Sequence, residues 1–211
     1  LQNGTKIIPK KSRNIRRDTG KKRKAENKIG LGDEVIVTAL ARQAQATNPL
    51  PVAVRDKKGS IRWHPIWSGN PRIVQPGYTG PLQWLDSRGG CRPYINYAKT
   101  QASQWHWKPY ICEPGEIYLN PDELAFRGAG SGRVILEPNI KGTASPNKNW
   151  GFQNWQILAD WLRKIKIPLL QVGPLGVLRL NGVEFVTTHD FRQACGALSG
   201  ARAIITAEGA F

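Results

Sequence analysis

Three short segments combine flexible backbone with one ionisable side chain, each where a strand should give way to a helix. Gly30-Leu31-Gly32-Asp33-Glu34 opens an apolar helical stretch. Pro146-Asn147-Lys148-Asn149-Trp150-Gly151-Phe152 opens another about 115 residues later. Thr206-Ala207-Glu208-Gly209-Ala210-Phe211 follows an apolar run at the end of the sequence. In open α/β sheets such turns are where ligands bind. The Gly30–Gly32 turn lets backbone amides approach an anion at a helix N-terminus. Asp33 reads either as a helix N-cap or as a general base that accepts a proton from a hydroxyl. Lys148 reads either as a solvated loop lysine or as a point charge on a phosphate. Glu208-Gly209 reads either as a helix cap or as a ribose or diphosphate contact.

Other chemistries find less support. The Gly30 turn lacks the third glycine of a dinucleotide fingerprint, and no Gly-Lys-Ser/Thr makes a phosphate loop. His64, His106 and His189 do not cluster with Cys or acids at metal spacing, so no metal site is expected. No Gly-x-Ser-x-Gly elbow is present. Cys195 reads as a small core hydrophobe on the inner face of a helix. The aromatic residues between Trp63 and Tyr110 read as core rings, with stacking on sugars or bases as the alternative.

The elements that position these residues follow from periodicity. Val35, Ile36, Ala39 and Leu40 predict a helix from Gly30 to about Ala46, stopped by Pro49 and Pro51. Val52–Val54 predicts a strand, Asp56–Gly59 a turn, and Ile61–Trp63 a second hairpin strand. The stretch from His64 to Pro114 predicts short strands and long loops with rings buried against the sheet. Further on, Val134–Leu136, Pro168–Val172, Val183–Val186 and Ala203–Thr206 read as strands. Asn154–Lys164 and Asp190–Leu198 read as helices, the latter capped by His189 or Thr188. Strands alternating with helices predict an α/β fold with parallel sheets.

The net charge is +16 over 211 residues. Residues 1–30 hold eleven Lys/Arg against Asp18 and Glu26, a charge of +9. Residues 1–28 read as a disordered basic arm, suited to an anionic surface or nucleic acid. Three cysteines in no close-spaced pair suit a reducing compartment. No apolar run approaches the roughly 20 residues of a membrane span, and no secretory signal is visible. The expectation is a cytoplasmic protein, with peripheral attachment to the inner membrane face as the alternative. The chain holds no Met, so it is not expected to begin at a natural start.

The order of the three motifs resembles the heptosyltransferase-like glycosyltransferases. Residues 30–42, Gly-Leu-Gly-Asp-Glu-Val-Ile-Val-Thr-Ala-Leu-Ala-Arg, are similar to that family's N-terminal motif. Residues 146–155 resemble its lysine-and-tryptophan loop, and residues 191–210 the approach to its donor site. The resemblance spans residues 29–211. It implies a GT-B fold: an acceptor-side Rossmann-like domain over 29–130 and a donor-binding Rossmann-like domain over 131–211 that continues past Phe211 in the family. It implies inverting, metal-independent transfer from a nucleotide sugar, which is substrate rather than cofactor, to a glycan or lipid-linked acceptor. By motif match Asp33 is the catalytic base, Lys148, Asn147, Glu208 and Gly209 bind the donor, and Gly30 and Gly32 form the backbone turn. The competing expectation is an inactive glycosyltransferase-like remnant that binds a partner through residues 1–28.

Overall fold

The computed structural model describes residues 30–56, 58–86, 92–96, 98–99, 106–111, 113–140 and 148–207. Within them, α1 spans Leu31–Thr47. Its N-cap is Gly30, with no side-chain cap, so the N-cap reading of Asp33 is corrected: Asp33 sits inside the first turn beside Glu34, where acids complement the helix dipole. Asn48 adopts extended backbone before Pro49 and ends the helix. Val37 and Ala41 pack with Val52, Val54, Ile66, Trp67 and Ile73 to form the first core. The expected face holds in part: Ala39 is fully buried, and Val35 and Leu40 pack half-buried on this core. The inward line also takes in Glu34, Val37, Thr38 and Ala41, which turns the face part of a turn from the one expected.

β1 (Val52–Arg55) pairs in parallel with β2 (Gln83–Asp86). The expected hairpin strand at Ile61–Trp63 is reduced to one antiparallel bridge, Arg55 to Ile61. A single 3₁₀ turn, Pro65–Trp67, carries buried Trp67 into the first core. Ring burial in the 64–114 stretch holds for Trp67 but not for Trp107, which is largely exposed and stacks on Tyr94 at 5.6 Å. Trp105 and Tyr97 lie outside the described residues.

The second half is more regular. β3 (Val134–Glu137), β4 (Leu169–Gly173), β5 (Glu184–Thr187) and β6 (Ala203–Thr206) form one parallel sheet in the order β5-β4-β3-β6. Central β3 and β4 are buried along their length, as strands covered on both faces must be. Alternate residues serve opposite sides. Val134 and Leu136 meet Trp155, Ala159 and Leu162 of α4 (Phe152–Lys164), while Ile135, Leu170 and Val172 meet Ala194 and Ala197 of α5 (Phe191–Leu198). The α5 cap is Asp190, whose carboxylate accepts from the Gln193 N–H, and not His189 or Thr188 as expected. Cys195 on α5 is half-buried, and burial pushes its thiol up to about 12. The architecture is mixed α/β with parallel sheets. Among the described residues no helix is long and apolar enough to cross a membrane.

Two one-turn helices join the halves: α2 (Pro121–Leu124) and α3 (Arg127–Gly130). Asn120 and Glu123 form a capping box at α2. Both helices pack on α5 at glycines. A Cβ at Gly196 would collide with the Glu123 carbonyl, and one at Gly130 with the Ala197 carbonyl. Arg192 of α5 is buried in this contact. Its Nε donates to Glu123 Oε1 at 2.5 Å, Nη2 to Glu123 Oε2 at 2.7 Å and to the Tyr118 carbonyl, and Nη1 to the Ile66 carbonyl at 3.0 Å. Burial works to raise the Glu123 pKa, but the Arg192 hydrogen bonds and charge prevail and hold it below the ordinary value.

Arg192→Met leaves Glu123 buried and unpaired, so urea unfolding should show a loss of about 3–5 kcal/mol at neutral pH. The depressed Glu123 pKa means that the pair stabilises above the ordinary glutamate pKa of about 4.3 and fades as pH falls through the folded value. The gap between the native chain and the variant should therefore narrow in acid. Gly196→Ala, which forces α2 off α5, should cost about 1–3 kcal/mol in the same measurement.

Candidate functional site

The strand order reverses at β3. The chain passes from β3 through α4 to β4 on one side, then from β5 through α5 to β6 on the other. The adjacent strands β3 and β6, paired up to Glu137 and Thr206, therefore flank a topological switch point, and open α/β sheets bind ligands at such points. Beside it, between the start of α4 and the end of β6, lies a crevice of about 450 Å³ lined by Lys148, Asn149, Trp150, Trp155, Leu158 and Ile205–Ala207.

The local sequence builds its wall. Gly151 caps α4 at φ +86°, a backbone region that favours glycine. Its N–H donates to Asn149 Oδ1 at 3.0 Å, and Asn154 Nδ2 donates back to the Trp150 carbonyl at 2.6 Å. This turn sets the Trp150 ring edge-on to Trp155, 5.2 Å between centroids. The first turn of α4 holds no acid, so its positive end and Lys148 both favour an anion in the crevice. The Trp155 indole N–H is buried and has no hydrogen-bond partner among the described residues. Such a donor costs about 1–3 kcal/mol unpaired.

Of the sequence-predicted donor residues, Lys148 lies in this crevice. Asn147, Glu208 and Gly209 lie outside the described residues. Their neighbours Lys148 and Ala207 line the same crevice, so the second and third motifs converge from segments about 60 residues apart.

Asp33 sits elsewhere, at the start of α1, and is buried. Its Oδ2 accepts from Arg92 Nε at 2.9 Å and Nη2 at 2.8 Å, and its Oδ1 accepts from the Tyr94 hydroxyl at 2.8 Å. Beside it, Glu34 is 1% exposed and accepts from Arg62 Nη1 at 2.7 and 2.9 Å. The Arg62 guanidinium lies 4.6 Å from the Trp67 ring centroid, and Trp67 Nε1 donates to the Glu34 carbonyl at 2.9 Å. Burial lowers the His64 pKa, and its Nδ1 accepts from the Ile66 N–H. Gly30 has an ordinary φ of −70°, and a Cβ on Gly32 would meet nothing, so strain does not demand either glycine.

Sequence reasoning missed Arg92 and Tyr94, which bond Asp33 from about 60 residues away in a stretch without periodicity. It also missed Glu137, which ends β3 and is 5% exposed. Burial pushes the Glu137 carboxyl above its ordinary pKa, against hydrogen bonds from Asn139, whose backbone N–H lies 2.8 Å from Oε1. Its only sequence signal is an acid closing an apolar strand.

A raised folded pKa favours folding at low pH, and that contribution is lost as pH rises through the folded value. Glu137→Gln keeps an acceptor for Asn139 and removes the titration. It should melt above the native chain at neutral pH, with the difference shrinking toward pH 4, as read by thermal unfolding across pH. A comparison with known protein families, with characterised proteins and with solved structures finds nothing that matches this chain.

Proposed function

We propose that the chain is a glycosyltransferase of GT-B type that moves a sugar from a nucleotide-sugar donor to a hydroxyl acceptor, with inversion and without a metal. The observation that carries this reading is the crevice between the start of α4 and the carboxyl end of β6, beside the β3–β6 switch point, with Lys148 and the N-terminus of α4 at its wall. In this reading the two halves, 29–130 and 131–211, are the acceptor and donor domains. Lys148 neutralises the donor phosphates, and Asn147, Glu208 and Gly209 are the further donor-binding residues. Asp33 takes the proton of the acceptor hydroxyl as that oxygen attacks the anomeric carbon. The bond to the diphosphate oxygen breaks, and the charge it leaves is met by Lys148. Arg92 and Tyr94 keep the Asp33 carboxylate oriented: Oδ2 takes both Arg92 contacts, and Oδ1, which accepts only from Tyr94, retains a lone pair for the acceptor. Gly30 and Gly32 leave the α1 start unobstructed.

A second reading has the charge in its favour. With +9 on residues 1–30, a glycosyltransferase-like remnant could serve as a binding protein for nucleic acid or another polyanion. Thermal unfolding with a panel of nucleoside diphosphates and nucleotide sugars separates the two. A ligand that binds only the folded chain adds about 2.7 kcal/mol at a hundredfold excess over its Kd. That is roughly 5–10 °C for a chain of this size. The shift should vanish in Lys148→Ala and persist in Asp33→Asn, which should instead lose transfer. No shift with any nucleotide, together with salt-sensitive RNA binding lost on deletion of residues 1–28, would replace the enzyme reading with the second.

A further inference from the structure

The helix α4 is apolar on two sides. Trp155, Ala159 and Leu162 face the sheet. Ile157, Trp161 and Ile165 stand four residues apart on a second line and are 66%, 57% and 49% exposed. Trp150, 51% exposed, continues that line ahead of the helix. Residues four apart share one side of a helix, and Trp150, Ile157, Leu158 and Trp161 together line an apolar hollow of about 290 Å³. The sheet satisfies one side of α4, and the other needs a second partner.

The flanking charges select that partner. Arg163, Lys164 and Lys166 are exposed at the end of α4. Asp160, the acid in the helix sequence, lies 3.4 Å from Arg163 and accepts from Gln156. A second copy of the same face, packed parallel, would bring these cations toward one another. Tryptophans interleaved with isoleucines and bordered by lysines suit the boundary between headgroups and acyl chains. There the indole ring buries its body while its N–H stays near water, and the lysines meet anionic headgroups. We propose that the outer face of α4 docks on an anionic lipid bilayer. The helix lies in the interface plane, Trp150, Ile157 and Trp161 enter the acyl boundary, and Lys164 and Lys166 stay among the headgroups. Trp150 also lines the switch-point crevice, so docking brings the crevice mouth to the lipid surface. The proposal does not depend on glycosyl transfer.

The test uses the full chain with vesicles of phosphatidylcholine alone and of phosphatidylcholine with phosphatidylglycerol, each also prepared with brominated acyl chains. Binding is expected to the phosphatidylglycerol vesicles, with tryptophan emission quenched by the bromine. The doubly substituted Ile157→Glu/Trp161→Glu chain should partition about tenfold more weakly or worse. Quenching is read on the native chain, so it stands apart from any effect of the substitutions on folding. Three results would each overturn the proposal: no binding by the native chain; binding without quenching that the double variant retains, which assigns attachment to the basic arm; or a concentration-dependent dimer, seen by light scattering, that Trp161→Glu dissolves.

Discussion

The Arg192 guanidinium fixes where the two halves meet. Its donors go to the Glu123 carboxylate and to the Ile66 and Tyr118 carbonyls, so one side chain ties α5 to three segments of the first half. Glu123 is itself held by Asn120, whose backbone N–H donates to Oε2 at 2.8 Å. This arrangement is possible only at close backbone approach, which Gly196, Gly130 and Gly200 permit by lacking a Cβ. A buried ion pair adds little net stability over a well-packed apolar contact, but its geometry is exacting. The consequence reaches the crevice. α5 leads into β6, and β6 pairs with β3 over four registered residues. With α5 held, β6 lies against β3 at the switch point, and the crevice opens beside it.

Carboxylates mark both halves, and their treatment differs. Asp33, Glu34 and Glu123 each meet an arginine through more than one hydrogen bond. Such forked contacts fix orientation as well as charge. Glu137, at the carboxyl end of β3, meets backbone and amide donors of Asn139 instead, and its pKa rises with burial. The first half therefore holds these acids in fixed poses against arginines, while the second places Lys148 and a helix N-terminus at its crevice and buries Glu137 at the end of β3. That division suits a ligand whose negative charge enters on the side of the second half.

The parallel sheet of the second half was legible because its strands are short apolar runs punctuated by Gly and Pro, and α4 was legible because Trp155, Ala159 and Leu162 repeat at helical spacing. The phase of α1 was not: Glu34 occupies an inward position, and only Arg62, far along the chain, makes that tolerable. α2 and α3, at four residues each, are too short to show periodicity, although Asn120-Pro121-Asp122-Glu123 spells a capping box. β2 alternates half-buried Gln83 and Leu85 with exposed Trp84 and Asp86, and its pairing with β1 rests on a long connection that carries no local signal. The α5 cap was misplaced by one or two residues because Thr188, His189 and Asp190 are adjacent candidates, and the Gln193 N–H chooses among them by geometry. At the candidate site, Lys148 was legible from loop chemistry. The partners of Asp33 were not, since Arg92 and Tyr94 reach it through tertiary folding alone.

The two roles proposed for α4 share an origin in the turn that precedes it. Gly151 adopts a left-handed φ, and the turn is closed by Asn149 and Asn154. This folds the chain back on the helix, so that Trp150 packs edge-on against Trp155 instead of leading away from the sheet. One side of the Trp150 ring then belongs to the crevice and another to the outer apolar line of α4. An ordinary helix start would leave Lys148 and Trp150 on a loop with no fixed relation to β6. Built this way, the one indole borders both the crevice beside Lys148 and the apolar hollow beside Ile157 and Trp161.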